Sequence, residues 1–351
     1  MNRRSYLKSS LMVGGSLLLP PGVLSLAGCS GTARPPELGA FDGLVMGTGY
    51  SVRYGHAPVK GLEQAVLAAL QDVDTHMSTW KENSELSLLN RSTDSDWQPM
   101  STATTAVIAH AMQTSANTDG AFDATVGPLV DLWGFGAGSA VPAGGTGQRP
   151  AVQSIRQTMS RIGHEFIEVD VQTSSVRKRK PGIQIDLSGI AKGHAVDRVA
   201  AVLDERGVDS YLVEVGGELA ARGRKPDGSA WKVAIEKPAV ARRDVFRVLD
   251  LENRAIATSG DYRNFFHEGG KRYSHAIDPR TGQPVTHDLA SVSVVAQSAM
   301  AADALSTALM IMGADGAMAF AEQHDVAAQL ILKSGDALAE RHSAAFSALL
   351  G

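Results

Sequence analysis

Cysteine is almost missing from this chain: there is one, Cys29, among 351 residues. A lone thiol rules out any internal disulfide, so stability has to come from a buried core. Positive charge is also short. Lys and Arg number 33 against 37 Asp and Glu, for a formal net charge of −4, which argues against a basic nucleic-acid surface. Heptads, fixed-period repeats and long blocks of like charge are all absent. So are a Walker sequence and the GxGxxG, GxSxG, HExxH and CxxC patterns, which removes the common local signatures of nucleotide, hydrolase, zinc and redox sites. What remains is ordinary globular composition, 44% hydrophobic and 20% charged, in a chain long enough for one large domain or two small ones.

The N-terminus has the grammar of an export signal. "MNRRSYLKSS" is basic, and "LMVGGSLLLPPGVLSLAG" is apolar but broken by Gly and Pro, too interrupted for a confident spanning helix. "LAGC" resembles a bacterial lipobox, in which the cysteine is lipidated and becomes the new N-terminus. The expectation is a lipoprotein signal peptide at residues 1–28, a lipid on Cys29, a tether at 29–39 and one domain from 40 to 351. "NRRSYLK" also resembles a twin-arginine signal, and a general secretory leader fits as well. Removing residues 1–28 takes away three cations and no acid, so the formal charge goes from −4 to −7.

Further on, "GLVMGTGYSVRYG" predicts a strand pair, and a stripe at Leu62, Val66, Ala69, Leu70 and Val73 predicts a helix. "ATTAVIAHAMQTSANTDG" predicts a second helix, closed at Asp119-Gly120. Residues 134–150 are nearly all small and read as a loop, either a functional flap or, as composition favours, a floppy insertion. Strands are expected near 166–169 and 182–185, with a helix from about Ser188 to Gly207. Clustered strands come next, including a Pro-x-x-Gly turn in "IDPRTGQPV". The connections are not regularly βαβ, so the expected class is α+β, with mixed or antiparallel sheets and packed helices in a single domain.

Four stretches carry candidate chemistry. In "SAMAADALSTALMIMG", Asp303, Ser306 and Thr307 share one face of an apolar helix. They are either a hydrogen-bonded cluster or oxygen ligands for a hard cation such as Mg²⁺. In "RYSHAIDPRTG", His275 can titrate near neutral pH and serve as an acid or base, while Asp278 most simply starts a turn. "TDGAFDATVGP" sets Phe122 between Ala121 and Asp123, as core or as the wall of a nucleotide pocket. Trp80, in "HMSTWKENSELSLLN", is a lid over a helix end or a stacking platform. "DLSGIAKGHAVDRV" joins them, with Asp186 and Lys192 around the first turn of a helix, where free N–H groups suit an anion.

Taken in order, "MGTGYSV", "MSTWKENSELSLLN", "DGAFDATVGPLVDLWGFG", "DLSGIAKGHAVD", "EVGGELAARG", "ATSGDYRNFF", "YSHAIDPRTGQPV" and "ADALSTALMIMG" resemble the FAD:protein FMN transferase family, the ApbE-type flavin transferases, from about Met46 to Gly313. The resemblance implies transfer of FMN from FAD, through its phosphate, to a Ser or Thr of a target protein, with release of AMP. It implies Mg²⁺ on Asp303, Thr307 and the backbone carbonyl of Gly189. It implies flavin contacts at Met46, Trp80, Ala121, Phe122, Asp123, Asp186, Lys192 and Ile277, and catalytic roles for His275, Lys192 and Asp303. Ser306 stands where some relatives place a second Asp, and Glu214 where a smaller polar residue is expected. The implied setting is an exported bacterial lipoprotein on the periplasmic side of a membrane, acting on periplasm-facing flavin-acceptor proteins or subunits of membrane redox complexes. Two alternatives use the same residues: a Mg²⁺-dependent FAD pyrophosphatase and a non-catalytic FAD-binding lipoprotein.

Overall fold

The computed structural model describes residues 38–55, 58–136, 144–145, 147–239, 244–335 and 337–350. The leader at 1–28, Cys29 and most of the 29–39 tether lie outside them. The tether's last residue, Gly39, already opens the first strand.

Eight strands form one antiparallel sheet in chain order: β1 (Gly39–Val45), β2 (Thr48–Tyr54), β3 (Tyr211–Val215), β4 (Glu218–Arg222), β5 (Arg254–Gly260), β6 (Leu289–Ala296), β7 (Ala327–Ser334) and β8 (Ala337–His342). The architecture is α+β, as expected. Side chains alternate between faces, as strand geometry requires. Ala255 and Ala257 face the helices, whereas Ile256 faces the hairpin 231–251 and Phe346.

Three helices position the cavity and its walls: α1 (Leu62–Met77), α2 (Ala191–Glu205) and α3 (Ala299–Gln323). The stripe expected in α1 is real, with Leu62, Val66, Leu70 and Val73 buried. In α2 the buried positions include Val196, Val199, Val202 and Leu203, and Gly207 ends the helix at φ 73°. α3 breaks at Gly313 (φ 72°, ψ 173°), which divides it into two helical segments.

Three expectations need correction. Residues 182–185 pair with no strand among the described residues. Ile185 donates its N–H to Asn90 Oδ1 (2.7 Å) and accepts from Asn90 Nδ2 (2.8 Å), so one side chain replaces a ladder. The second correction is that α2 starts at Ala191 rather than Ser188. Ile190 and Ala191 both donate to the Leu187 carbonyl, and Asp186 Oδ1 accepts from Ser188 N (2.9 Å), so a tight turn comes first. The third concerns the 134–150 loop, which is anchored at its described C-terminal end. Gly144 N donates to Phe265 O (2.7 Å), Gly145 O accepts from His267 N (3.0 Å), and Arg149 N donates to Glu268 (3.1 Å). Residues 137–143 lie outside the described residues.

Candidate active site

A cavity of about 730 Å³ gathers Trp80, Ala121, Phe122, Asp123, Asp186, Gly189, Lys192, His275, Ile277, Asp303 and Thr307 on its walls. These are all but one of the flavin, metal and catalytic candidates. The exception is Met46, which lies at the β1–β2 turn and packs on the core. Met46 and Gly47 have φ of 52° and 72°, the two left-handed positions of a tight hairpin turn.

The deep end is built where α2 meets α3. Ile190, the residue before α2, makes no side-chain cap. Instead Gly193 N donates to Asp303 Oδ2 (3.0 Å). An ideal Cβ on Gly193 would lie 2.2 Å from the Ala299 carbonyl oxygen, so only glycine allows the helices to approach this closely. Asp197 completes the joint by accepting from Ala299 N (2.8 Å) and Met300 N (2.9 Å) at the start of α3.

Asp303 and Ser306 are buried. Ser259 Oγ, at the end of β5, lies 2.9 Å from Ser306 Oγ and 3.2 Å from Thr307 Oγ1, and Ser306 Oγ donates to the Asp303 carbonyl (3.0 Å). Ser306 is therefore fully engaged in joining helix to sheet. A Cβ on Gly189 would sit 3.4 Å from Thr307 Oγ1 and 3.2 Å from the Phe122 ring. A bare backbone at that position leaves Gly189 close to Thr307.

Lys192 Nζ donates to Glu218 Oε1 at 2.6 Å and stands 3.6 Å from Asp303 Oδ1. Burial lowers the ammonium pKa, but the Asp303 and Glu218 charges outweigh it and hold it above the ordinary lysine value. Burial pushes Glu218 up to about 7 against the opposing pull of Lys192. Its second oxygen, Oε2, is buried without a hydrogen-bond partner among the described residues. Glu218 was missed in the sequence, as were Ser259 and Asp131. Glu214, the unexpected residue beside it, acts locally, its Oε1 accepting from Gly217 N (2.7 Å) at the turn before Glu218.

His275 follows the hairpin formed by Phe265–Glu268 and Lys271–Ser274. Its Nδ1 is 3.2 Å from the Asn264 carbonyl. A carbonyl only accepts, so Nδ1 carries the proton and Nε2 keeps its lone pair. Burial lowers the imidazole pKa below its ordinary value, against the Asn264 bond and the Asp261 charge. Asp278 starts its turn as expected, accepting from Arg280 N (2.9 Å) and pairing with the Arg280 guanidinium.

The remaining wall is more apolar. Phe122 and Ile277 are buried, and Trp80 is 69% exposed at the mouth, so it is no lid over a helix end. The Asp123 carboxylate joins two segments, accepting from Thr125 N and Oγ1 (2.7 Å each) and from His164 N (3.1 Å). It braces this wall. Asp186 and Asp131 also line the cavity. Burial raises the Asp186 pKa; partial desolvation and the Asp186 charge raise that of Asp131.

The chain matches the ApbE family model over residues 46–331. It is 40% identical over 332 residues to the FAD:protein FMN transferase of Vibrio cholerae, covering 93% of this chain and 96% of that one. Its fold is similar to the solved flavin transferase ApbE from Vibrio cholerae (TM-score 0.81, 39% identity, 90% of this chain and 100% of that one). It is also similar to the apo flavinyl transferase ApbE of Pseudomonas stutzeri (TM-score 0.81, 37% identity, 90% and 97%). With the match spanning the whole cavity and most of the sheet, the chain belongs to the ApbE family.

Proposed function

We propose that this chain transfers FMN from FAD to a Ser or Thr hydroxyl of an acceptor protein, with a divalent cation, and releases AMP. One observation carries the reading: a fixed ammonium, an imidazole with a free Nε2 and a set of hard oxygens line one cavity. The motif resemblance and the names of the relatives agree with it.

The residues present fit Mg²⁺. Asp303, the Thr307 hydroxyl and the Gly189 carbonyl are oxygen donors with a single carboxylate, a set that suits a cation that keeps several waters. When bound, it would neutralise charge on the phosphoryl oxygens. Phosphoryl transfer otherwise asks mainly for positioning and charge. Lys192, at the start of α2, faces the pyrophosphate of FAD. His275 Nε2 accepts the proton of the incoming hydroxyl. That oxygen bonds to the FMN phosphorus while the bond to the AMP phosphate breaks. Trp80 and Phe122 flank the planar rings, and the half-buried Asp186 holds the nucleotide.

The leader and Cys29 support a lipid anchor on the exported face of a membrane. Acceptors there would be periplasm-facing flavoproteins or subunits of membrane redox complexes.

The test supplies FAD with Mg²⁺ or EDTA, with and without a flavin-acceptor domain, and follows AMP release and covalent flavin fluorescence. AMP release that needs the acceptor and labels it is the expected result. Free FMN and AMP without acceptor would indicate a pyrophosphatase. FAD binding with no AMP would indicate a binding protein.

A further inference from the structure

The turn between β3 and β4 brings one more carboxylate into the cavity. Gly216 and Gly217 both have positive φ, and the register pairs Val215 with Glu218. Glu218 thereby enters the cavity wall at 3% exposure. Two carboxylates then compete for one cation. Lys192 Nζ is 2.6 Å from Glu218 Oε1 but 3.6 Å from Asp303 Oδ1. The shorter contact is a charge-assisted hydrogen bond and the longer one is not. The lysine stem passes close to Gly216, where an ideal Cβ would lie 3.1 Å from its Cδ.

We propose that Glu218 is a positioning residue: it holds Lys192 off Asp303, so that the Asp303 carboxylate stays available to a divalent cation while the ammonium faces the phosphates. This rests on the reading of Asp303 as a cation ligand. Without the Glu218 charge, the strongest partner left to Lys192 is Asp303, about one ångström farther than its present bond partner. The ammonium would then close on Asp303 and occupy the place of the metal. The second Glu218 oxygen is buried and has no partner among the described residues, which is expected where a charge is kept for placement rather than stability.

The test titrates the full-length chain with Mn²⁺ alone and reads the free-ion electron paramagnetic resonance signal. Wild type, Asp303→Ala, Glu218→Gln, Lys192→Met and the double variant Glu218→Gln/Lys192→Met are compared. Glu218→Gln is expected to weaken Mn²⁺ binding about 10- to 100-fold, the usual range for a residue that orients a metal ligand. Lys192→Met alone should change it less than about threefold, and the double variant should return to near the wild-type value, because the competitor is gone. Unchanged binding in Glu218→Gln overturns the proposal. So does a double variant as weak as Glu218→Gln, which would make Glu218 a ligand. A Lys192→Met variant that tightens binding as much as Glu218→Gln weakens it also overturns it, since summed charge would then suffice. No Mn²⁺ binding by wild type, or full binding by Asp303→Ala, would instead defeat the underlying reading of the metal site.

Discussion

The two ends of the cavity are built on opposite plans. At the deep end every polar group is tied to an element other than its own: Asp303 to α2 through Gly193, Ser306 and Thr307 to β5 through Ser259, and Lys192 to β4 through Glu218. At the mouth Trp80 is largely exposed, and the nearest polar anchor is its own backbone N–H on Ser78 Oγ (3.2 Å). The difference follows the chemistry proposed. Charge on a transferring phosphoryl group is stabilised only by groups already in place, whereas a ring that enters and leaves needs a surface that admits it. Rigidity belongs at the deep end and tolerance at the mouth.

That contrast can be broken in order of effect. Asp303→Ala removes the only carboxylate of the proposed metal set. Transfer should fall at least about a thousandfold, equivalent to about 4 kcal/mol, with the circular dichroism spectrum unchanged; normal turnover would remove the metal site. His275→Ala should lower kcat about 10²- to 10⁴-fold while FAD affinity, measured by fluorescence quenching, moves little. An equal loss in both would make His275 a binding residue. Gly193→Ala tests the joint itself. Its new methyl meets the Ala299 carbonyl, and thermal melting should show a loss of about 1–3 kcal/mol. A neutral result would mean that α2 and α3 can slide apart.

The pH dependence has a definite sign. The base is the neutral imidazole, and burial lowers the His275 pKa below 6.5. The acid limb of kcat/KM should therefore lie below the ordinary imidazole value, with activity retained at pH 6.5. A limb above that value would assign the titration to another group. The smallest effect belongs to the mouth. Trp80→Ala should weaken FAD binding only about 2- to 10-fold, the value of one aromatic contact, with kcat nearly unchanged. A large kcat loss would extend the rigid plan to the mouth.

How much could be read beforehand depends on how local each feature is. The shared face of Asp303, Ser306 and Thr307 is a consequence of helical spacing, and the 278–282 turn of Pro and Gly chemistry. Both stand as expected. Residues 182–185 look like a strand by residue type, yet a strand needs a partner, and Asn90 took that place from 95 positions away. Small residues at 134–150 suggested a floppy loop, but the backbone of its described end is bonded to a hairpin more than a hundred residues later. Glu218 gave no local signal. Its meaning arises from a hairpin register and from a lysine 26 residues upstream.

Residue order and spacing were enough for the α+β class, the amphipathic helices, the turns and the family resemblance, because each depends on neighbours within a few positions of the chain. Which carboxylate Lys192 chooses, which nitrogen of His275 carries the proton, why position 193 admits no side chain and which end of the cavity is rigid are settled by contacts across 11 to 110 residues. Such distances are closed by packing the helices on the sheet, and no pattern along the chain encodes them directly.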